Sequence, residues 1–440
     1  MVQSTQKPTF REAFSFWLKL GFISFGGPAG QIAIMHEFLV EKKKWISDSR
    51  FLHGLNYCML LPGPEAQQLA TYIGWLLHGV RGGLSAGLLF ILPSVFILLS
   101  LSIAYVLFGK LAWVASLFYG LKPAVIAIVI LALIKIGKKS LLSPFHYAVA
   151  IFSFISIFFF NVSFPLIILA SILLGIAVQK LFPQFLRSSK ESQVIDANES
   201  LYYLNRYSAP IMGGLTLKSV AKKTAVGLIL WVIPVLLFFL MRSDFSFWFT
   251  VTTFFTNAAL ITFGGAYAVL PYVAQESVEK HHWLTQLEMI DGLALGETTP
   301  GPLIMVLVFV GFMAGYHHGG ASIFDGTLGL LTTAYYTFLP CFLFIFIGAP
   351  LVETTKEHKK LKAILAIITA AVVGVILNLT IYFGKAVLLP DGHQGVDWFS
   401  LLWLIISFFA LYKFKVNMIW WILVSAIAGL LYTVSYNHFF

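Results

Sequence analysis

The chain has 440 residues, of which 59% are hydrophobic and only 11% charged, whereas soluble domains carry about 25% charged residues. A mean hydropathy of +0.86 and repeated apolar runs predict an all-α, multi-pass membrane protein and exclude an ordinary soluble globule. The net charge of +10 is typical of basic cytoplasmic loops and does not indicate a nucleic-acid partner, while only two cysteines, Cys58 and Cys341, exclude a disulfide framework or a thiolate metal cluster.

Hydropathy predicts about thirteen transmembrane helices. The spans lie at residues 10–35, 51–78, 82–108, 112–134, 144–161, 163–182, 224–241, 247–272, 288–315, 325–349, 362–384, 399–411 and 416–436. Residues 183–223 are polar and basic, which predicts a cytoplasmic linker between two halves.

The two halves are predicted to be copies of one another. Phe25-Gly26-Gly27 recurs as Phe263-Gly264-Gly265, and Pro62-Gly63-Pro64 recurs as Pro300-Gly301-Pro302, both at the same offset along the chain. Without gaps, residues 17–82 and 255–320 share fifteen identities in 66 positions. The chain therefore divides into an N-terminal repeat (1–182), the linker (183–223), an extra span (224–246) and a C-terminal repeat (247–440).

The extra span predicts that the second repeat enters the membrane from the opposite side, as in many secondary transporters. Putting the linker inside also puts most basic clusters inside, and it places the loops near Asp244 and Lys356 on opposite faces. Lys42–Lys44 is the exception, because two single crossings at 10–35 and 51–78 would put it outside. Either that loop folds back as an interfacial helix, or 51–78 is re-entrant.

Each repeat has a Gly-Gly about halfway along its first span and a Pro-Gly-Pro about halfway along its second span. These residues predict that the helices are broken at the membrane midplane. Irregular backbone at this depth is tolerated where it is buried in protein or lines a wet cavity. A half-helix that begins at such a break directs free amides and a partial positive charge at it, an arrangement that favours an oxyanion. The alternative is that these residues only pack and kink helices.

The predicted substrate site consists of the residues at and beside the four breaks. They are Ser24, Phe25, Gly26, Gly27, Pro62, Gly63, Pro64, Glu65, Gln67, Gln68, Thr262, Phe263, Gly264, Gly265, Glu297, Thr298, Thr299, Pro300, Gly301 and Pro302. Their hydroxyl and amide groups are expected to donate to the anion. Lys19 either attracts the anion or extends to the inner interface. His53 and Asp291 occupy equivalent positions and are expected to be interfacial, and no enzyme, metal or cofactor motif is found.

Several segments together resemble the chromate ion transporter family in its long, two-domain form. These segments are residues 20–28 (LGFISFGGP), 45–47 (WIS), 61–68 (LPGPEAQQ) and 72–74 (YIG), with second-half versions at 262–266 (TFGGA) and 299–302 (TPGP). The second copy lacks the equivalents of Pro28 and of Glu65, Gln67 and Gln68, so the two halves are not expected to bind substrate alike.

The resemblance implies a multi-pass protein of the bacterial inner membrane that exports chromate and confers chromate resistance. The residues themselves predict only an oxyanion, so sulfate or another oxyanion moved by exchange remains an alternative. An intramembrane enzyme that uses Glu65 and Glu297 as acid and base is an alternative of another class. Proton or counter-anion coupling and a homo-oligomer also stay open.

Overall fold

Almost all residues that the structure describes lie in helices. A computed structural model describes residues 7–181, 201–207, 216–352, 359–390 and 395–439, and no β-strand forms within these ranges. Seven of its helices are long and apolar enough to cross a membrane, by length and composition: residues 65–108, 112–140, 164–181, 217–241, 323–350, 363–388 and 418–435. The prediction of an all-α membrane protein is therefore confirmed, whereas the count of thirteen crossings is not.

Seventeen α-helices lie in the described residues. They are α1 (Phe10–Ile23), α2 (Gly27–His36), α3 (Asp48–Cys58), α4 (Glu65–Phe108), α5 (Ala112–Ser140), α6 (Pro144–Phe160), α7 (Phe164–Leu181), α8 (Tyr203–Tyr207), α9 (Leu217–Met241), α10 (Phe245–Leu260), α11 (Ala266–Gln275), α12 (Gln286–Thr298), α13 (Val306–His318), α14 (Ile323–Val352), α15 (Lys359–Leu388), α16 (Trp398–Tyr412) and α17 (Met418–Phe439). A π-helical turn, Glu37–Lys42, extends α2, a second one, Glu276–Lys280, extends α11, and a 3₁₀ turn, Leu303–Met305, precedes α13.

The first predicted span, 10–35, does not run straight. It breaks at Gly26, and α2 with its π-helical turn packs back on α1. The Phe16 and Phe38 rings are stacked with centroids 3.9 Å apart, and Lys43 Nζ lies 2.7 Å from Glu12 Oε1. We call this unit the first hairpin; its tip is at residues 24–27, and its base carries Lys43 beside the start of α1. Because the chain reverses, Lys42–Lys44 lies at the same end of the hairpin as the start of α1. A straight span would have placed these lysines at the opposite end.

The second predicted span, 51–78, reverses as well. Gly54 of α3 packs face-on against the Tyr72 ring of α4, so that a Cβ at Gly54 would lie 2.5 Å from the ring. We call α3 with residues 65–77 the second hairpin; its tip is the Pro62-Gly63-Pro64 turn. At its base His78 Nε2 lies 3.0 Å from the carbonyl oxygen of Pro8, beside the start of the first hairpin.

Helix α4 then turns back on itself at His78 and Gly79, whose backbone angles are not helical. Residues 80–108 run antiparallel to residues 65–77 at very short range, since a Cβ at Gly74 would lie 2.5 Å from the Gly82 carbonyl oxygen. Glycine at these positions lets the two backbones touch, as small residues do between membrane helices.

Two matching hairpins form in the C-terminal half. In the third hairpin, α10 and α11, the Phe254 and Tyr272 rings stack with centroids 5.3 Å apart. In the fourth hairpin, α12 and α13, Gly292 faces the Phe309 ring. At its base His317 Nδ1 lies 2.7 Å from the carbonyl oxygen of Trp283. The tips of these hairpins are residues 261–265 and 299–302.

The two halves also share unusual local geometry at positions that correspond in the repeat. Lys44 and His282 both adopt a left-handed conformation with φ of 51°, which is uncommon outside glycine. The amide of the next residue, Trp45 or Trp283, donates across the π-helical turn at 2.8 Å in each half. The duplication seen in the sequence is thus reproduced in backbone detail.

The long second part of α4 contacts the hairpins of both halves and so shows how they are oriented relative to each other. It starts at the base of the first two hairpins, and midway along it the Ser94 hydroxyl donates to the Pro300 carbonyl at the tip of the fourth hairpin. Near its end the Tyr105 hydroxyl donates to Asp291, toward the base of the fourth hairpin, at 2.9 Å. The first two hairpins and the fourth therefore approach from opposite ends of α4.

The predicted linker 183–223 is only partly within the described residues, because 183–200 and 208–215 lie outside them, as does the loop at Lys356. Its last residues belong to α9, which begins at Leu217. The described piece attaches to the base of the first hairpin, where the amides of Tyr203 and Leu204 donate to the carbonyls of Lys44 and Trp45 at 3.1 and 3.0 Å.

Candidate functional site

The tips of opposing hairpins meet and are joined by a pair of backbone hydrogen bonds. The amide of Gly63 donates to the carbonyl of Thr262 at 2.8 Å, and the amide of Gly301 donates to the carbonyl of Ser24 at 2.9 Å. These bonds are equivalent under the repeat, because Ser24 corresponds to Thr262 and Gly63 to Gly301. They join the first tip to the fourth and the second tip to the third, and α11, which starts at the third tip, contacts the 3₁₀ turn that follows the fourth.

Each tip depends on glycine in the left-handed half of the backbone map. Gly26, Gly63, Gly264 and Gly301 have φ of 86°, 120°, 82° and 96°. Other residues adopt such angles only at a cost of about 1–3 kcal/mol. No atom lies within 4 Å of the position of a Cβ at Gly26, so the tip of the first hairpin faces open space.

Four helical segments begin at the tips, and none of them is capped by a side chain. The residues that precede them are Gly26, Pro64, Gly265 and Pro302. By contrast, three of the four helices that enter the hairpins, α1, α3 and α12, have Thr or Ser caps. Uncapped helix starts leave amide donors and a partial positive charge of about +0.5 each for another acceptor. The tips of both halves therefore carry helix starts whose first amides have no side-chain cap.

The hydroxyl groups expected to bind the anion are already used as donors within their own helices. Ser24 and Thr262 donate to the carbonyls of Leu20 and Ala258, four residues earlier. Thr298 and Thr299 donate to carbonyls three residues earlier, at 2.8 and 3.0 Å. In this conformation each of these hydroxyl protons satisfies a carbonyl of its own helix, and the donation of these hydroxyls to an anion stays a prediction.

The glutamines at the tips are buried and only partly satisfied. Gln68 Nε2 donates to the Pro62 carbonyl at 2.7 Å and so braces the second tip, while Gln67 Nε2 donates to Thr71 at 3.1 Å. Sequence analysis missed Gln31, whose Nε2 donates to the carbonyl of Gly301 at 2.6 Å. Among the described residues, the amide oxygens of all three glutamines are buried without a hydrogen-bond partner.

The two predicted carboxylates lie at different tips and have different surroundings. Glu297 is buried, with 7% of its surface exposed, and accepts a hydrogen bond of 2.6 Å from Tyr267. Glu65 is partly exposed at the start of α4. No hydrogen bond joins the two carboxylates in the described part of the chain.

The remaining predicted residues lie away from the tips. Lys19 is exposed on α1, in a surface groove that it shares with Phe38 and Lys43 near the hairpin base. Asp291 was expected to be interfacial, but it is 5% exposed and pairs with Lys122 of α5, whose Nζ lies 3.4 Å from Asp291 Oδ1. Sequence analysis overlooked Lys122, although a lone lysine inside the apolar span 112–134 is the signal that would have identified it.

Comparison with known proteins agrees with this architecture. The family model described as Chromate transporter matches residues 11–176 and 249–430, which together are most of the chain. The chain belongs to the chromate transporter family. The two matched segments contain nearly all residues of the four hairpins.

Members of the chromate transporter family are similar to the chain across both halves. The chain is 30% identical to a chromate transport protein of Cupriavidus metallidurans over 387 residues, which cover 86% of this chain and 83% of that protein. It is 30% identical to a chromate transport protein of Pseudomonas aeruginosa over 428 residues, which cover 96% of this chain and 92% of that protein. It is 29% identical to an uncharacterized transporter of Methanocaldococcus jannaschii over 433 residues, which cover 98% of this chain and 96% of that protein. No solved structure matches the chain significantly.

Proposed function

We propose that this protein is a secondary transporter that moves chromate, a tetrahedral divalent oxyanion, out of the cell across the bacterial inner membrane and thereby confers chromate resistance. The observation that carries the proposal is the meeting of four hairpin tips whose helix starts have no side-chain caps. Backbone amides at helix starts bind oxyanions without a fixed positive charge that would make release slow. The relatives named chromate transport protein support chromate as the anion.

The outward direction follows from the charge of the substrate. A dianion that leaves an inside-negative cell gains about 2 × 2.3 kcal/mol per 100 mV of membrane potential. Export therefore needs no coupling ion to be downhill, whereas uptake does.

We further propose that the two repeats, 1–182 and 247–440, insert with opposite topology, and that nine helices cross the membrane. These are the second part of α4, then α5, α6, α7, α9 and α14 to α17, while the four hairpins are re-entrant and meet at the midplane. The approach of hairpins from opposite ends of α4 and the two matched segments of the family model support this arrangement. Sites at the interface of inverted repeats are typical of secondary transporters.

Cysteine labelling distinguishes nine crossings from thirteen. With re-entrant hairpins, Lys44→Cys is expected to react from the inner face and Lys280→Cys from the outer face. Thirteen crossings predict the reverse for both. Cys58 and Cys341 are buried and give little background. Labelling of Lys44→Cys from outside would contradict the hairpin topology.

Flux measured with labelled chromate tests the function itself. Purified protein in proteoliposomes is expected to move chromate with no chemical change, and unlabelled sulfate is added as the competing anion. Competition by sulfate as strong as that by chromate would favour the alternative, a general oxyanion exchanger. A modified product would favour the intramembrane enzyme.

Glu65 is proposed to couple transport to protons. A carboxylate beside a bound dianion is destabilised by like-charge repulsion, so proton and anion should bind together. We expect Glu65→Gln to keep chromate flux but to lose its dependence on pH. Glu297→Gln is the matched variant at the fourth tip, where Tyr267 already holds the carboxylate. If the pH profiles of Glu65→Gln and wild type coincide, Glu65 is not the coupling group and Glu297 takes its place.

A further inference from the structure

Lys122 holds a partly buried positive charge at the contact between the two halves. It lies in the middle of the apolar helix α5, and its side chain is 19% exposed. Its ammonium faces Asp291 of α12 in the fourth hairpin, at 3.4 Å. The other oxygen of Asp291 accepts the hydroxyl of Tyr105 from α4 at 2.9 Å.

This ion pair is incompletely satisfied. An ammonium has three donors, yet within the described residues the contact with Asp291, at 3.4 Å, is the one polar contact of Lys122. Asp291 Oδ1 is buried without a hydrogen-bond partner among those residues. Buried ion pairs that serve only stability need good geometry to offset the cost of desolvation. Lys122 therefore retains donors for a further acceptor.

The pair lies between the tip and the base of the fourth hairpin. Asp291 and Thr298 are seven residues apart and share one face of α12, so Asp291 is about 10 Å from the tip along the helix. In the topology proposed above, this direction leads to the outer face. An anion that leaves the tips outward would meet Lys122 next.

We propose that Lys122, with the Tyr105 hydroxyl, forms an oxyanion subsite on the outer side of the tips. The departing dianion replaces the carboxylate of Asp291 as the partner of the ammonium, and Asp291 pairs with Lys122 again when the anion leaves. A compact ammonium binds tetrahedral oxyanions well as a point charge. The returning carboxylate keeps this charge from trapping the anion. This inference rests on the proposed function as an oxyanion transporter.

The subsite predicts opposite effects from the two partners of the pair. In inverted membrane vesicles with labelled chromate, Lys122→Gln should raise the KM at least tenfold, and Lys122→Arg should stay within about threefold of wild type. Asp291→Asn should lower the KM, because the ammonium is freed, and should also lower the maximal rate through slower release. Lys135→Gln, an exposed lysine on the same helix, is the matched control and should leave both values unchanged.

A purely structural ion pair predicts different results. Lys122→Gln and Asp291→Asn would then reduce the amount of folded protein alike, and the double variant Lys122→Gln/Asp291→Asn would recover the wild-type KM because no unpaired charge remains. That recovery would overturn the subsite, whereas a persistently raised KM in the folded double variant supports it. Wild-type protein without chromate flux would overturn the proposed function, while wild-type flux with an unchanged KM in Lys122→Gln would overturn the subsite alone.

Discussion

Replacing Gly26 by Val is expected to abolish chromate transport while leaving the protein inserted in the membrane. Gly26 has a φ of 86°, and no atom lies within 4 Å of a Cβ placed there. The Cβ of a β-branched residue therefore meets no obstacle, and the expected effect comes from the backbone angle, at a cost of about 1–3 kcal/mol. Because the helix α2 starts at the next residue, a changed angle at Gly26 redirects the amides of that helix start.

The equivalent Gly264→Val is expected to do more damage, since its Cβ would lie 2.8 Å from Thr369 Cγ2. Flux in proteoliposomes and the yield of monodisperse protein in detergent separate the two effects. Gly384→Val is the matched control, because Gly384 lies in α15 with open space around it and an ordinary helical backbone. Wild-type flux in Gly26→Val would contradict this prediction and would show that the Gly-Gly pairs only pack helices and are not required for transport.

Replacing Gly63 or Gly301 by Ala is expected to reduce both flux and stability. Both residues have positive φ, and both donate the backbone hydrogen bonds that join the hairpin tips. A methyl group at Gly63 would lie 2.7 Å from Cys341 Sγ, and one at Gly301 would collide with the Ser94 hydroxyl. The loss of flux should be at least tenfold in each, because the added strain separates the two halves at the proposed site.

The steric part of this effect can be relieved separately. Gly63→Ala combined with Cys341→Ala removes the sulfur but leaves Gln68 Nε2 at 2.8 Å from the new methyl group, so this double variant should recover part of the thermal stability that Gly63→Ala loses. Cys341→Ala alone serves as the control. Equal melting temperatures for Gly63→Ala and wild type would show that the second tip tolerates a side chain and would contradict the close approach described here.

Much of this architecture could be predicted from the sequence, because hydropathy, the repeat and the backbone angles of glycine and proline do not depend on long-range contacts. A low charge content is enough to identify a membrane protein, since apolar side chains favour lipid wherever they lie in the chain. The constant offset between the repeats identified equivalent positions, and the structure repeats it in the left-handed Lys44 and His282 and in the hydrogen bonds between the tips. Gly-Gly and Pro-Gly-Pro mark irregular backbone because their allowed angles are set by their own covalent structure.

The direction of the chain after each break was decided only by tertiary contacts. Hydropathy measures whether a segment favours lipid, and it is the same for a straight span and for two half-spans folded on each other. The reversal of 10–35 depends on the stacking of Phe16 on Phe38 and on the ion pair of Glu12 with Lys43. In the sequence, one observation indicated this reversal: two straight crossings would have put the basic residues Lys42–Lys44 outside, unlike most other basic clusters.

The roles of polar side chains also required the tertiary structure. A serine or threonine near a break can donate to a ligand or to its own helix, and the choice depends on whether the last carbonyls of that helix have another partner. Here Ser24 and Thr262 satisfy those carbonyls. Lys122 and Asp291 belong to different halves of the chain, so only the packing of α5 against α12 brings their charges together. The sequence by itself determined the membrane class, the duplication and the four breaks, whereas long-range packing decided how the breaks meet and which donors remain for an anion.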